Sequence, residues 1–564
     1  MRFSADRFLR LGCPLFLAVL AVGLILSPSR GTETEFGFFR QRGCTSIMVG
    51  RLATADGSVI TSHTCDGTYR TWMEISLHRK NAAGTKNKIF SGRMGTRFSD
   101  DQRGLQQTGE IPEVAESYSF LNTAYPAMNE RQLGMGETTV VGRMELWNPK
   151  GVFQVEELER LMLERCTTAR EAIRLVDELT KTYGYTDYGE CLTIADKKEV
   201  WHFEILGTTK KHIGAVWAAV RIPDDHVGVS ANRLRIGEID LKNPDYYMAS
   251  ENVYSLAEQM GWWDPKSGEL FKFYRVYGNQ KKNYSHREWR VLSLAAPSLN
   301  LDPKAEELPF SVKAERKISV RDVMTWFRDT YENTPFDCMP KILVRNPFDP
   351  KGGLVQSPVV SPWMSSDMSR VLNSLKPDAA PAYYTIANNL TSYSTVIQCR
   401  DWLPDPIGGI VWLGFDNPAQ TARIPLFCGI TELPPSFKIG SQDGFTADSA
   451  AWAFRRAARL AQLCWGKTRK RVEGLISEIE DQAFAKMPLI EKKALEIYPE
   501  DPDKARAFIS AYCRDFALAV TERYWNLGDG LWADFAAEFP PSPEEMAKWR
   551  DNILQAFMQG VRFF

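Results

Sequence analysis

A cysteine at the head of a β-hairpin is the strongest constraint on what this chain can fold into. Residues 44–51 read as a strand that begins on Cys44. Ala53-Thr54-Ala55-Asp56-Gly57 supplies a turn, and residues 58–64 read as the return strand. Such a pattern puts a thiol at the end of a sheet, where the chain enters it, rather than in the middle. Ahead of the hairpin stands a segment with another use. Arg2, Arg7 and Arg10 precede an apolar run over 11–26, closed by Ser27, Pro28, Ser29 and Arg30. Basic, apolar and turn-forming regions in that order predict an export leader over 1–30. The run contains Pro14 and is short of the roughly 20 residues a membrane span requires. Removal is therefore the expected outcome, and retention would tether the chain. Residues 31–43 then form a short propeptide. A lipid-attachment cysteine would follow the apolar run directly, whereas Gln41 and Arg42 intervene here.

A cut between Gly43 and Cys44 would leave one residue carrying both a thiol and a free α-amine. The thiolate is the nucleophilic form of cysteine. An N-terminal amine has an ordinary pKa of roughly 7.7–8.0, so it can act as that thiol's base near neutrality. One cut would assemble nucleophile and base together.

Composition excludes several other classes. The 564 residues carry a net charge of −1 with 44% hydrophobic content, which gives ample core and no concentrated basic surface for nucleic acid. None of the ten cysteines forms a C-x-x-C pair, and the six histidines include no H-E-x-x-H, so no metal site and no cofactor is expected. Gly228-Val229-Ser230-Ala231-Asn232 lacks the second glycine of a serine-hydrolase elbow. Gly466-Lys467-Thr468 lacks the leading glycine of a phosphate loop.

Along the chain, 155–165 reads as a helix with Leu158, Leu161 and Met162 on one face. Thr168-Ala169-Arg170-Glu171 is a capping box for a second helix carrying Ile173, Val176 and Leu179. Residues 192–195 and 200–205 read as a hairpin, and 212–222 and 227–230 as further strands. Residues 245–380 read as insertions around the core. Strands return at 393–398 and 409–415, and the chain turns helical after Phe445, with Pro488 expected to interrupt. Strands, two helices, then strands predict an α+β fold with helices layered on sheets. The expected division is a core over 44–444 and a helical region over 445–564 packed on it.

Taken in order, the residues resemble a known family. Cys44-Thr45-Ser46-Ile47-Met48-Val49-Gly50, Asp56-Gly57-Ser58 and Cys65-Asp66-Gly67 are similar to the start of the C69 dipeptidases, cysteine hydrolases with an N-terminal nucleophile that are related to secernins. Asn129-Glu130-Arg131-Gln132-Leu133 with Gly136-Glu137-Thr138-Thr139 resembles a second block. Residues 199–205, 222–236, 334–337 and 393–404 resemble others, and the likeness spans roughly 44–530. It implies a four-layer αββα sandwich and hydrolysis of dipeptides through a thioester on Cys44, after the chain removes its own propeptide, without a metal. It further implies that Asp66 holds the nucleophile's amine and that Asn232 donates to the oxyanion. His63 stands where related hydrolases often carry Arg. Glu137 is the candidate for a substrate ammonium, and Arg235 or Arg400 for its carboxylate. The partners implied are dipeptides in a periplasmic or extracellular setting; assembly of identical chains is compatible with this. The competing readings are an amidase of the penicillin- or bile-acid-acylase type and an exported binding protein with a dead site.

Overall fold

The computed structural model describes residues 43–537 apart from 347–352, 382 and 441, together with residues 539, 546–547 and 550–551. The expected leader and most of the expected propeptide lie outside the described residues. The elements that position the site are numbered here in chain order: β1 (Gly43–Val49), β2 (Val59–Asp66), β3 (Gly134–Thr139), α1 (Val155–Arg165), α2 (Ala169–Tyr183), β4 (Glu190–Ala195), β5 (Val200–Thr209), β6 (His212–Arg221), β7 (His226–Ser230), β8 (Tyr247–Ala249), α3 (His286–Ala295), β9 (Ser311–Lys313), β10 (Thr391–Cys399), β11 (Ile410–Phe415), β12 (Ile424–Phe427), α4 (Ala450–Gln462), α5 (Trp465–Ile497) and α6 (Pro502–Ala536).

The fold is α+β, built on two antiparallel sheets. One has seven strands in the order β9-β7-β1-β2-β10-β11-β12, and the other five in the order β8-β6-β5-β4-β3. The hairpin read from sequence forms as β1–β2, with Cys44 opposite Cys65 and Gly43 opposite Asp66. Gly57 takes φ +84° in its turn, a left-handed conformation that glycine adopts without a Cβ clash. Every residue of β1 and β2 is buried, as expected of central strands covered on both faces.

The two sheets meet through polar side chains. Thr61 Oγ1 lies 2.7 Å from Thr193 Oγ1, Ser46 Oγ donates to the Glu137 carbonyl at 3.2 Å, and Thr138 Oγ1 lies 2.5 Å from Ser230 Oγ. They approach so closely at Gly136 that an added Cβ would stand 2.1 Å from the Ser62 carbonyl oxygen. Helices pack against both sheets. The Thr168–Glu171 capping box forms at the start of α2, whose Ala172, Ile173, Val176 and Leu179 are buried. Trp217 of β6 ties to that helix by donating to Asp177 at 2.8 Å. On the far side α4–α6 pack on the large sheet, with Trp412 of β11 stacked on Phe484 of α5 at 4.4 Å.

Pro488 does not interrupt its helix. α5 runs from Trp465 through Pro488 to Ile497. An interior proline costs a helix about 3 kcal/mol. Here Val472, Ile476, Ile479, Ala483, Met487 and Ala494 are buried on both sides of it, and burying those apolar side chains offsets the lost hydrogen bond.

Candidate active site

Cys44 begins the site. Its side chain is almost fully buried, and each of its polar atoms is held from a different direction. Its N–H donates to Asn232 Oδ1 at 2.9 Å. Its carbonyl oxygen accepts from Arg287 Nη1 at 2.6 Å. Its sulfur stands by the Asp66 backbone N–H and within 4.8 Å of a Glu137 carboxylate oxygen.

Asn232 closes β7 at φ +63°, a left-handed position that Asn tolerates better than most residues. Arg287 Nη2 donates to its Oδ1 at 2.7 Å, and its own Nδ2 donates to the Thr139 carbonyl at 2.7 Å. Its carbonyl oxygen therefore grips the Cys44 nitrogen, where the sequence reading expects its amide to serve an oxyanion. Arg287 itself was missed. It sits in the first turn of α3 behind a Ser285-x-x-Glu288 capping box. Glu288 Oε1 also accepts the Ala231 N–H at 3.0 Å, and Arg287 Nη2 donates to the Ala231 carbonyl at 3.0 Å. One helix terminus thereby fixes the turn that carries Asn232. The capping box was the only sequence signal for this arrangement.

Asp66 lies opposite Gly43, beside the bond whose cleavage would free Cys44. Its Oδ1 accepts from Thr391 Oγ1 at 2.6 Å and its Oδ2 from Tyr384 Oη at 3.1 Å. Burial raises its pKa to about 7, against the pull of Thr391 and Arg287. Glu137 projects from β3 toward the sulfur. Thr139 Oγ1 donates to its Oε1 at 3.1 Å, and its Oε2 is buried with no partner among the described residues. Burial lifts this carboxyl to about 7 as well.

His63 completes the cluster. Its Nδ1 lies 2.7 Å from the Glu137 carbonyl and 3.1 Å from the Glu137 N–H, and its Nε2 is buried and unpartnered among the described residues. Burial lowers its pKa to about 4, so the ring is neutral near pH 7. Ligating atoms of Cys44, His63 and Glu137 all lie within 4.8 Å of one another. Burial, with Glu137 next, pushes the Cys44 thiol well above its ordinary range. A neutral histidine and two acids cannot lower it. With its nitrogen in a peptide bond Cys44 is a protonated thiol, and ionising it calls for a base placed against it.

Arg235 and Arg400 hold structural positions instead of lining this cluster. Arg235 donates through Nη1 to Asn283 O at 2.7 Å and through Nη2 to Phe310 O at 3.0 Å, with a further bond to Pro309 O. Arg400 pairs with Glu491 of α5 at 2.6 Å and donates to the carbonyls of Ile407 and Gly408. Both guanidinium groups are engaged away from Cys44, Arg235 by three backbone carbonyls and Arg400 by Glu491 and two carbonyls.

Residues 43–478 match the model of peptidase family C69. A probable dipeptidase of Latilactobacillus sakei is 24% identical over 504 residues, covering 86% of this chain and 93% of that protein. A probable dipeptidase B of Lactococcus lactis is 26% identical over 426 residues, covering 71% and 77%. Dipeptidase A of Lactobacillus helveticus is 22% identical over 455 residues, covering 78% and 85%.

Proposed function

The chain belongs to peptidase family C69, and from that premise we propose that it is an exported dipeptidase whose nucleophile is Cys44, freed when the chain cuts itself between Gly43 and Cys44. The observation that carries the proposal is the setting of Cys44 on three sides: nitrogen bonded to Asn232, carbonyl bonded to Arg287, and sulfur within 4.8 Å of the Glu137 carboxyl. A structural cysteine has no need of such a set.

After the cut, the nitrogen now bonded to Asn232 is an amine on the same residue as the thiol. It takes the thiol proton as sulfur attacks the scissile carbonyl and returns it to the leaving amine of the dipeptide. The thioester is then hydrolysed by water. Glu137, with Oε2 unpartnered among the described residues, is the acceptor we assign to the substrate's ammonium. Asp66 and Asn232 hold the Cys44 amine, and Arg287 orients both Asn232 and the Cys44 carbonyl. The neutral His63 leaves the thiol to the amine. We extend the proposal to the architecture, with the two sheets and their flanking helices forming an αββα sandwich. Export rests on the basic, apolar and turn-forming leader read from residues 1–30.

Intact mass of the purified protein, wild type beside Cys44→Ala, tests the reading, followed by a dipeptide panel that includes N-acyl amides. The expected result is a wild-type chain starting at Cys44 that hydrolyses dipeptides, and a mutant that keeps Gly43 and is inactive. Wild-type protein that retains Gly43, or hydrolysis that survives Cys44→Ala, overturns it. Hydrolysis confined to the N-acyl amides transfers the site to the acylase type.

A further inference from the structure

Tyr384 stands against the bond that the self-cleavage reading breaks, and that reading gives it no role so far. Its hydroxyl lies 3.4 Å from the Gly43 carbonyl oxygen and 3.1 Å from Asp66 Oδ2. The ring is fixed from three sides. Arg287 stacks its guanidinium 4.6 Å from the ring centroid, Tyr331 Oη donates to the Tyr384 carbonyl at 2.8 Å, and Asp66 engages the hydroxyl. Gly43 fills the remaining space. A Cβ there would stand 2.7 Å from both Cζ and Oη of Tyr384 and 2.9 Å from Cε1, closer than real Cβ atoms approach their neighbours.

We infer that Tyr384 serves the cut before Cys44, donating its hydroxyl to the Gly43 carbonyl oxygen as that oxygen becomes anionic, and that the same ring restricts the residue before the cut to glycine. The inference rests on the self-cleavage reading and deepens it. In the step, Cys44 sulfur bonds to the Gly43 carbonyl carbon while the thiol proton passes to the Glu137 carboxylate, an oxygen of which stands within 4.8 Å of the sulfur. The carbonyl π pair moves onto oxygen, which accepts the Tyr384 hydroxyl. The C–N bond then breaks, and the departing Cys44 nitrogen takes up a proton as the α-amine. A thioester joins Gly43 to Cys44 until water adds to it, leaving a Gly43 carboxylate and a free thiol. Net consumption is one water, with no other reactant.

Two further observations fit. Burial holds the phenol well above its ordinary range, so it remains a donor at all working pH values. Tyr384 has one hydroxyl hydrogen and two acceptors in reach. In the resting chain that hydrogen is donated to Asp66 Oδ2 at 3.1 Å, and it shifts to the Gly43 oxygen as charge develops there. The ground-state distance of 3.4 Å is long, as hydrogen bonds to a reacting oxygen often are before charge develops on it.

The experiment follows conversion of the full chain by intact mass over time, for wild type, Cys44→Ala, Tyr384→Phe and Gly43→Ala. Loss of one oxyanion donor should slow Tyr384→Phe by roughly 100-fold. Displacing the ring should slow Gly43→Ala by roughly 100-fold as well. Gly43 is absent from the matured chain, so the fraction of Gly43→Ala that does mature must hydrolyse dipeptides like wild type. That control separates a blocked cut from a misfolded protein. Either variant converting at the wild-type rate, while Cys44→Ala stays uncut, overturns its half of the inference and leaves self-cleavage standing. Conversion of Cys44→Ala, or none in wild type, sinks the self-cleavage reading and the inference with it.

Discussion

The space between the two sheets and the space between the large sheet and its helices are filled in opposite ways. Between the sheets lie hydroxyls, an imidazole and carboxyls: Thr61 on Thr193, Thr138 on Ser230, His63 and Ser46 on Glu137. Under the C-terminal helices lie mostly rings and aliphatic chains, such as Phe454 stacked on Tyr524 at 4.0 Å and Trp412 on Phe484, with a few buried ionic contacts such as Arg400 with Glu491. Apolar burial stabilises in proportion to area and tolerates small shifts. Buried polar groups cost free energy unless each meets a partner at the right distance, so they fix geometry. The helical side accounts for stability, and the inter-sheet side holds Cys44 to fractions of an ångström.

Mutations should separate these two roles. The largest expected effect is at the polar seam: Cys44→Ala should lower dipeptide hydrolysis on the order of 10⁴-fold or more, with the melting temperature nearly unchanged. Next, Arg287→Met should lower kcat/KM by roughly 100-fold, because Asn232 and the Cys44 carbonyl lose their common anchor. Retained activity in either variant would dissolve the contrast. On the apolar side, Phe454→Ala should lose about 3–5 kcal/mol in urea unfolding, while the folded fraction keeps wild-type kcat/KM. Arg400→Met should cost about 1–3 kcal/mol by stranding Glu491 and the carbonyls it serves. Its KM for dipeptides should stay at the wild-type value, and a large rise in KM would return Arg400 to the substrate.

The smallest effect is in pH dependence, where two groups at the seam oppose each other. His63 falls from 6.5 to about 4, so between those values the unfolded chain binds the extra proton and His63 makes stability rise with pH. Asp66 rises from 3.8 to about 7, so there the folded chain binds the extra proton and Asp66 makes stability fall with pH. His63→Gln should therefore tilt stability against pH downward between pH 4 and 6.5, and Asp66→Asn should tilt it upward. Urea midpoints across that range read both slopes, and equal slopes in the two variants would contradict the assigned environments.

The sequence announced local pattern well and convergence poorly. The β1–β2 hairpin, α1, the capped α2 and the β4–β5 hairpin were legible because alternation, helical spacing and capping residues act within a few positions. Cys44 drew attention because the expected leader and the first family-like block both point at it. Arg287 and Tyr384 were hidden for the opposite reason. Arg287 lies in the stretch read as insertions and Tyr384 just past its end, and nothing near either in sequence marks it as a neighbour of residue 44. Arg235 and Arg400 drew attention because they adjoin family-like blocks, yet their guanidinium groups are engaged by local carbonyls and a helix. Pro488 misled because its local cost was legible and the tertiary burial that offsets it was not.

The distances along the chain between these groups carry a consequence for the order of events in the cell. Cys44 meets Asn232 across 188 positions and Arg287 across 243, and Gly43 meets Tyr384 across 341. No partly synthesised chain shorter than 384 residues owns the full set, and no loosely collapsed one has it aligned. On the self-cleavage reading, maturation works as a completion signal for folding. In that reading the chain gains its amine base only when the last of those distant pieces has arrived.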